Sequence, residues 1–247
     1  MAERAIELDD SLPAAHLALA NALFYFEWEF GAAGRAYERA LALGPGWDES
    51  HYWATGFYSA TERHDEALAS IERAVELNPA SLEVRGDRGF YYIAAERFDA
   101  AIHDCRRMIE LEGELRFALD CLLRAHVGNG QLDEARLVAR RLMLFDGASP
   151  EELSLVSGDS GEAVERFWRW ELERLSERAA RGDVSDLRLS RQYALLHEND
   201  EALTYLERAI EIRDPYLVYI RSDGRLKSLR GDARFEALAR RVAPHGF

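Results

Sequence analysis

The chain has 247 residues, and 48% of them are hydrophobic, which is enough for a large buried core. Its 6 prolines and 17 glycines are too few for a disordered or loop-rich chain. The formal net charge of −14 repels phosphate backbones and anionic lipid heads, so we expect neither a nucleic-acid nor a membrane partner. No apolar run reaches the roughly 18 residues needed to span a bilayer, and charged residues interrupt the start, unlike in a secretory signal.

Two cysteines, Cys105 and Cys121, stand 16 residues apart, with no partner histidine at metal-ligand spacing. This pattern indicates neither a disulfide framework nor a zinc site. Both residues fall on packing positions of predicted helices, so we expect them to be small core residues. A reduced, cytoplasmic compartment fits this usage, and nothing in the sequence indicates a cofactor.

A five-residue motif recurs at a fixed interval along the chain. It reads Arg-His-Asp-Glu-Ala at 63–67, Arg-Phe-Asp-Ala-Ala at 97–101 and Gln-Leu-Asp-Glu-Ala at 131–135, so its aspartate and its last alanine return every 34 residues. A further copy, Glu-Asn-Asp-Glu-Ala, stands at 198–202. Each aspartate predicts a helix start, where a negative side chain meets unpaired N–H groups and the positive end of the helix dipole. The small alanine allows the two helices of one repeat to approach closely.

A second pattern predicts where the helices end. Arg-Ala-Leu-Ala-Leu-Gly-Pro at 39–45 and Arg-Ala-Val-Glu-Leu-Asn-Pro at 73–79 place two prolines 34 residues apart, and each proline stops the helix before it. The period, the small-residue positions and the terminal proline together resemble the tetratricopeptide repeat. The resemblance implies an all-α fold, a right-handed solenoid of about six helical hairpins with a C-terminal capping helix. It also implies a protein-binding scaffold that is not an enzyme.

In chain order, the repeats fill a single predicted domain, residues 1–247. A half-repeat at 1–10 lacks its first helix and cannot bury its apolar face alone, so it predicts packing against another element or self-association. Full repeats are predicted at 13–45, 48–79, 82–113, 116–147, 150–181 and 183–213. The fifth is irregular, because Ser-Gly-Asp at 157–159 breaks its short first helix ahead of a long aromatic second helix. Residues 214–247 are predicted to form a cap, with a last helix at 232–242.

The tail of the chain carries a second resemblance. Residues 213–238 are similar to the endings of repeat regions in multidomain bacterial signalling proteins, where the repeats follow a nucleotide-cyclase, kinase or DNA-binding domain. This resemblance implies a regulatory module of a larger protein. The chain itself has no cyclase, kinase or DNA-binding motif, so none of those activities is implied for it.

One short motif is reminiscent of catalysis. Gly-Asp-Ser-Gly at 158–161 resembles the segment around a serine-protease nucleophile, but it is predicted to lie in a turn between helices, without the β-barrel frame and histidine base that this chemistry needs. The seven histidines show no His-x-x-x-His or His-Glu-x-x-His pairing. We therefore expect no enzymatic activity and no metal site.

Aromatic and charged residues are predicted to line a binding groove. In the implied fold the first helix of each repeat faces the concave side, and Tyr, Phe and Arg are residue types that anchor interfaces. The predicted groove residues are Asn21, Tyr25, Glu49, Tyr52, Phe90, Asp120, Arg124 and Arg191. The expected partner is a protein or peptide, held as an extended segment or a helix. Any one of these side chains could instead pack against a neighbouring helix.

Three other functions stay open at this point. A ligand-sensing module would need a closed apolar pocket with convergent polar groups. A self-association module would use the half-repeat at the N-terminus to form a homo-oligomer. An enzyme would need a cleft between helices in which acids or histidines have shifted pKa values.

Overall fold

The computed structural model describes residues 2–243, so Met1 and 244–247, the outer ends of the predicted half-repeat and cap, lie outside this range. Within residues 2–243 the chain forms helices and no strands. The α-helices are α1 Ala2–Leu8, α2 Pro13–Asn21, α3 Phe30–Leu43, α4 Asp48–Ala60, α5 His64–Leu77, α6 Leu82–Ala94, α7 Phe98–Glu112, α8 Arg116–Gly128, α9 Leu132–Phe145, α10 Ser160–Ala179, α11 Asp186–Leu195, α12 Asn199–Glu211 and α13 Ala233–Val242. A π-helical turn, Ala22–Glu27, extends α2, and three 3₁₀ turns lie at Glu152–Val156, Pro215–Tyr219 and Gly224–Leu229.

Consecutive helices pack as antiparallel hairpins. The pairs are α2 with α3, α4 with α5, α6 with α7, α8 with α9, and α11 with α12. In the fifth hairpin α10 packs against the 3₁₀ turn Glu152–Val156 in place of a full first helix. First helices also contact each other from α2 to α4, from α4 to α6 and from α6 to α8. This stacking confirms the all-α solenoid expected from the 34-residue period.

The recurring motif acts through the turn inside each hairpin. One residue there has a left-handed backbone: Glu62 with φ 59°, Glu96 with φ 55°, Gly130 with φ 71° and His197 with φ 58°. The chain then enters the second helix, and the motif's aspartates lie in its first turn, at Asp65, Asp99, Asp133 and Asp200. Their negative charge interacts favourably with the positive end of the helix dipole. They do not make the capping hydrogen bond expected from the sequence.

The motif's alanines hold the hairpins together. Each is at most 2% exposed, and the four are Ala67, Ala101, Ala135 and Ala202. A side chain without atoms beyond Cβ lets the backbones of the first and second helix of a hairpin come close together. Because every hairpin needs a small residue at this position, the alanine recurs at a regular interval in the sequence.

The two cysteines differ from the expectation. Cys105 on α7 and Cys121 on α8 are buried, as expected of small core residues, but their sulfur atoms are bonded as a disulfide. The expectation of no disulfide is therefore wrong for this pair. The physical reason is close packing: their Cα atoms are 6.3 Å apart, and a Cβ on the adjacent Gly89 would lie 2.6 Å from Cys121 Sγ.

After α12 the chain turns back into the solenoid. We call residues 214–230 the inner segment. Its turns are capped by aspartates, since Asp214 Oδ1 accepts from the Tyr216 amide at 2.9 Å and Asp223 Oδ1 accepts from the Arg225 amide at 3.0 Å. Its apolar residues are buried: Leu217, Val218, Ile220, Leu226 and Leu229. They share one hydrophobic core with the first hairpin and the last hairpin, so this segment joins the two ends of the solenoid.

Candidate functional site

The row of first helices has a gap between α8 and α11. The fifth hairpin should supply a helix there, but it supplies only the five-residue 3₁₀ turn Glu152–Val156. The twenty-residue helix α10 forms the floor of the gap. Gln192 of α11 donates to the carbonyl of Trp168 on α10 at 2.7 Å, which ties one side of the gap to the floor. Charged side chains from α8, α10, α11 and the inner segment converge in this space.

The predicted groove residues at the N-terminal end are engaged within the chain. Asn21 Oδ1 accepts a hydrogen bond from Tyr37 Oη at 2.6 Å. The hydroxyls of Tyr25 and Tyr219 lie 2.9 Å apart, which joins α2's extension to the inner segment across 194 positions of sequence. Burial raises the pKa of the Tyr25 hydroxyl, and the neighbouring Tyr219 raises it further. These two predicted residues therefore contact the molecule's own inner segment and core.

The next predicted residues lie between α4 and α6. Tyr52 Oη donates to Asp87 Oδ2 at 2.8 Å and approaches Glu83 Oε1 at 3.2 Å. Burial, and next the charge of Asp87, raises the pKa of Tyr52 far above its usual value. Glu49, near the start of α4, is exposed. Tyr52 therefore links two first helices, while Glu49 points to solvent.

Phe90, Asp120 and Arg124 meet at the near edge of the gap. The Arg124 guanidinium lies 5.1 Å from the Phe90 ring centroid and 3.4 Å from Asp120 Oδ2. The cation over the ring face and the ion pair together fix the direction of this arginine. The three residues were predicted separately from their repeat positions, and the structure brings them together.

Arg191 belongs to a buried charge cluster in the gap. Its Nε lies 2.6 Å from Asp223 Oδ2, and Arg225 donates to both Asp223 oxygens at 2.9 and 2.8 Å. Burial would raise the pKa of Asp223, but Arg225 and Arg191 outweigh it and hold this pKa well below its usual range. Burial lowers the pKa of Arg191 to about 10. Burial also lowers the pKa of Arg124, and the positive charge of nearby Arg225 lowers it further. Positive charge is thus crowded here around one carboxylate.

A large cavity opens beside this cluster, between α6, α8, α10, α11 and the inner segment. Its volume is about 600 Å³, a size typical of ligand-binding clefts. Its apolar wall consists of Ile93, Phe98, Val127, Trp168 and Leu195. The charged residues of its lining are Arg124, Arg225, Lys227, Arg230, Glu62 and Glu96. Lys227 Nζ and Glu96 Oε1 lie 3.4 Å apart at the exposed mouth.

Comparison with known proteins identifies the fold. The tetratricopeptide repeat family model matches residues 50–81. YrrB, a tetratricopeptide repeat protein with an unusual peptide-binding site, superposes with a TM-score of 0.51 and 18% identity over 90% of this chain and 96% of its own. A tetratricopeptide repeat protein from Parabacteroides merdae superposes with a TM-score of 0.59 and 13% identity over 98% and 89%. This chain has the tetratricopeptide repeat fold.

A third solved structure agrees with this placement. PilF from Pseudomonas aeruginosa superposes with a TM-score of 0.51 and 19% identity, over 88% of this chain and 84% of its own. No curated protein matches the sequence. At these identities the likeness concerns the fold, so the roles of individual residues are argued from this structure alone.

Residues of the inner segment escaped the sequence prediction. Gly224, Arg225 and Lys227 were expected in a cap, whereas they form one wall of the large cavity within the tetratricopeptide repeat fold. A signal was present: residues 217–220 are too apolar for the polar outer face that a cap requires. The dipeptides Asp214-Pro215 and Asp223-Gly224 are also typical of turns, so they predict that the chain changes direction at these two places.

The protease-like motif has a structural role. Asp159 caps α10, accepting hydrogen bonds from the amides of Gly161 at 3.0 Å and Glu162 at 3.1 Å, and the Ser160 hydroxyl donates to Asp133 Oδ1. Residues 2–243 contain no group of three or more His, Cys, Asp or Glu side chains arranged to hold a metal ion. In the same part of the chain, none of the helices has the length and apolar character to traverse a bilayer.

Proposed function

We propose that this chain is a protein-interaction module that binds a segment of a partner protein in the large cavity. The observation that carries the proposal is the cavity of about 600 Å³ on the face lined by first helices. The inner segment covers other parts of this face through Tyr219 and Asp223. The cavity is where that face stays open to a partner.

The lining of the cavity suits a peptide. An apolar wall built around Trp168 and Phe98 can take an anchoring side chain, while Arg124 and Arg230 in the lining can fix a carboxylate or backbone carbonyl. Buried apolar anchors surrounded by a polar rim are the usual anatomy of a binding site for a protein segment. The peptide-binding site of YrrB, which has the same fold, is consistent with this proposal.

The wider setting that we propose is regulatory. The tail at 213–238 resembles endings of repeat regions in bacterial signalling proteins, so we place the module beside a signalling output. In such a setting partner binding would control an attached domain. The Cys105–Cys121 disulfide removes the basis for the reduced compartment expected from the sequence. The volume of the cavity also favours a second candidate, a sensor for a small molecule, since most ligand pockets measure about 300–1,000 Å³.

Self-association is the third candidate, and it rests on α1. This helix has no buried residue, and Leu8 at its end is 73% exposed. A second copy could cover this half-hairpin. Mass in solution that rises with concentration, and that falls in a Leu8→Glu variant, would favour this candidate over binding in the cavity.

The cavity can be filled without disturbing its walls. A Cβ built on Gly224 meets no atom within 4 Å, and Gly224 lies in the lining, so Gly224→Trp should place an indole in the cavity. Gly46 has the same free surroundings but lies in the turn between α3 and α4, outside the cavity, so Gly46→Trp is a matched control. Affinity capture from the source cells, followed by quantitative mass spectrometry, compares the two.

We expect partners that bind the wild type and the Gly46 variant to be lost from the Gly224 variant, with unchanged helical circular dichroism in all three. Equal capture by both variants would contradict a site in the cavity. Loss of a low-molecular-weight ligand from the Gly224 variant, with protein capture unchanged, would instead select the sensor.

A further inference from the structure

A second pocket lies at the opposite end of the gap, and we call it the arginine pocket. Its volume is about 340 Å³, and its lining contains five arginines and three acids. The arginines are Arg116, Arg174, Arg178, Arg181 and Arg188. They come from α8, α10, α11 and the loop after α10, so the pocket exists because the fifth hairpin lacks a full first helix.

Three of the five arginines have carboxylate partners. Arg116 Nη2 lies 3.1 Å from Asp146 Oδ2 and 2.7 Å from Glu171 Oε1. Arg174 is paired with Glu152 at 3.3 Å, and Arg181 is paired with Asp183 at 3.5 Å. The Arg116 pairs connect α8 with α10 and with the end of α9 across the pocket. They also engage two of the three acids in the lining.

The other two arginines, Arg178 and Arg188, are unpaired. Within residues 2–243 neither guanidinium makes a side-chain hydrogen bond or lies within 4.0 Å of a carboxylate. Burial lowers the pKa of Arg188 more than Glu171 raises it, and Arg116 and Arg178 lower it further. Guanidinium groups that are crowded together and have no carboxylate within ion-pair distance attract an anion.

We propose that the arginine pocket binds a phosphate group between Arg178 and Arg188. Two guanidinium forks can each make a bidentate contact with a group that has three terminal oxygens and two charges. A carboxylate has only two oxygens, which one guanidinium already saturates. Glu177, the remaining acid of the lining, is exposed to solvent. This site is separate from the large cavity and does not depend on the function proposed for it.

The test uses inorganic phosphate with the full chain. We expect phosphate to bind saturably in isothermal titration calorimetry and to raise the melting temperature more than sodium chloride of equal ionic strength does. Binding should weaken at least about tenfold in the Arg178→Gln, Arg188→Gln double variant. A matched control is Arg73→Gln on α5, which removes an exposed arginine paired only with its helical neighbour Glu76.

Two results would overturn the proposal: phosphate acting no differently from chloride, or equal phosphate affinity in the wild type and a folded double variant. If the double variant fails to fold, Arg178→Gln alone, at an exposed position, decides the matter by the same comparison. A phosphoserine peptide and its unphosphorylated form then identify the source. Tighter binding of the phosphopeptide than of free phosphate assigns the site to a modified protein, and equal binding assigns it to the free anion.

Discussion

At the scale of single residues, Asp223 compensates the positive charges of two arginines on the concave face. It is 9% exposed and is contacted by Arg191 and Arg225. Removing one partner of a buried ion pair leaves the other charges without compensation, which costs about 3–5 kcal/mol. We therefore expect Asp223→Asn to lower the free energy of unfolding by about 3 kcal/mol at neutral pH, measured by urea denaturation.

The same residue sets a pH dependence. Because the arginines hold the pKa of Asp223 below its unfolded value, its carboxylate adds stability above about pH 4, and this contribution is lost as the pH falls through the folded-state pKa. The difference between wild type and Asp223→Asn should therefore shrink on acidification. Asp10→Asn, at a 79% exposed carboxylate, is the control and should leave stability unchanged. A difference that is independent of pH would refute the role given to Asp223.

The turn residues give a second prediction at this scale. His197 is exposed and holds φ at 58°, a left-handed conformation that costs an ordinary residue about 1 kcal/mol or more. We expect His197→Gly to raise the free energy of unfolding by about 0.5–1 kcal/mol. Gly130, at the equivalent turn of another hairpin with φ 71°, should respond in the opposite way when it is changed to alanine. Thermal melts of both variants test this, and the same sign for both would count against the turn assignment.

At the scale of elements, local signals explain what the sequence could predict. The motif with Asp65 and Ala67 acts within one hairpin, and Pro79 ends a helix through its own ring, so a single sequence reveals them. The inner segment depends on contacts between Tyr25 and Tyr219, 194 positions apart, and no local pattern encodes those. The disulfide could not be predicted from the number and spacing of two cysteines, because Cys105 and Cys121 are brought together by the packing of neighbouring helices.

Docking of the inner segment can be tested from α4. A Cβ on Gly56 would lie 2.5 Å from Tyr219 Oη and 3.1 Å from Tyr25 Oη. Alanine in a helix is normally about 1 kcal/mol more favourable than glycine, so a loss of stability in Gly56→Ala would report the clash. We expect a loss of about 1–3 kcal/mol and faster amide exchange confined to residues 214–230, measured by mass spectrometry.

Gly46→Ala is the control for this experiment, because a Cβ there meets no atom within 4 Å. It should leave exchange in the inner segment as it is in the wild type. Were Gly56→Ala to stabilise the chain, with exchange at 214–230 unchanged, the inner segment would not be seated against α4 as described.

At the scale of the whole molecule, the irregular fifth hairpin shapes both pockets. The sequence predicted the irregularity from the break at 157–159, and it predicted Asp120, Arg124 and Arg191 as groove residues. It could not predict that a missing first helix leaves a gap that these residues line, because that follows from how whole hairpins stack. Residues from the inner segment complete the site, and they come from a part of the chain that was expected outside the groove.

A single residue allows the central claim to be tested directly. Lys227 is the one lysine in the sequence, its side chain is 71% exposed, and it stands at the mouth of the large cavity. An amine-reactive photo-crosslinker therefore attaches at Lys227 and at the N-terminal amine, and Lys227→Arg removes the first site while keeping its charge. The labelled chain is mixed with the partner recovered by affinity capture, illuminated and digested, and the cross-linked peptides are mapped by mass spectrometry.

If the partner binds in the large cavity, light should join it to Lys227 in the wild type, much less in Gly224→Trp, and not at that position in Lys227→Arg. A partner that stays bound to the labelled wild type, yet gives no more adduct there than the Lys227→Arg variant, would place its binding surface elsewhere.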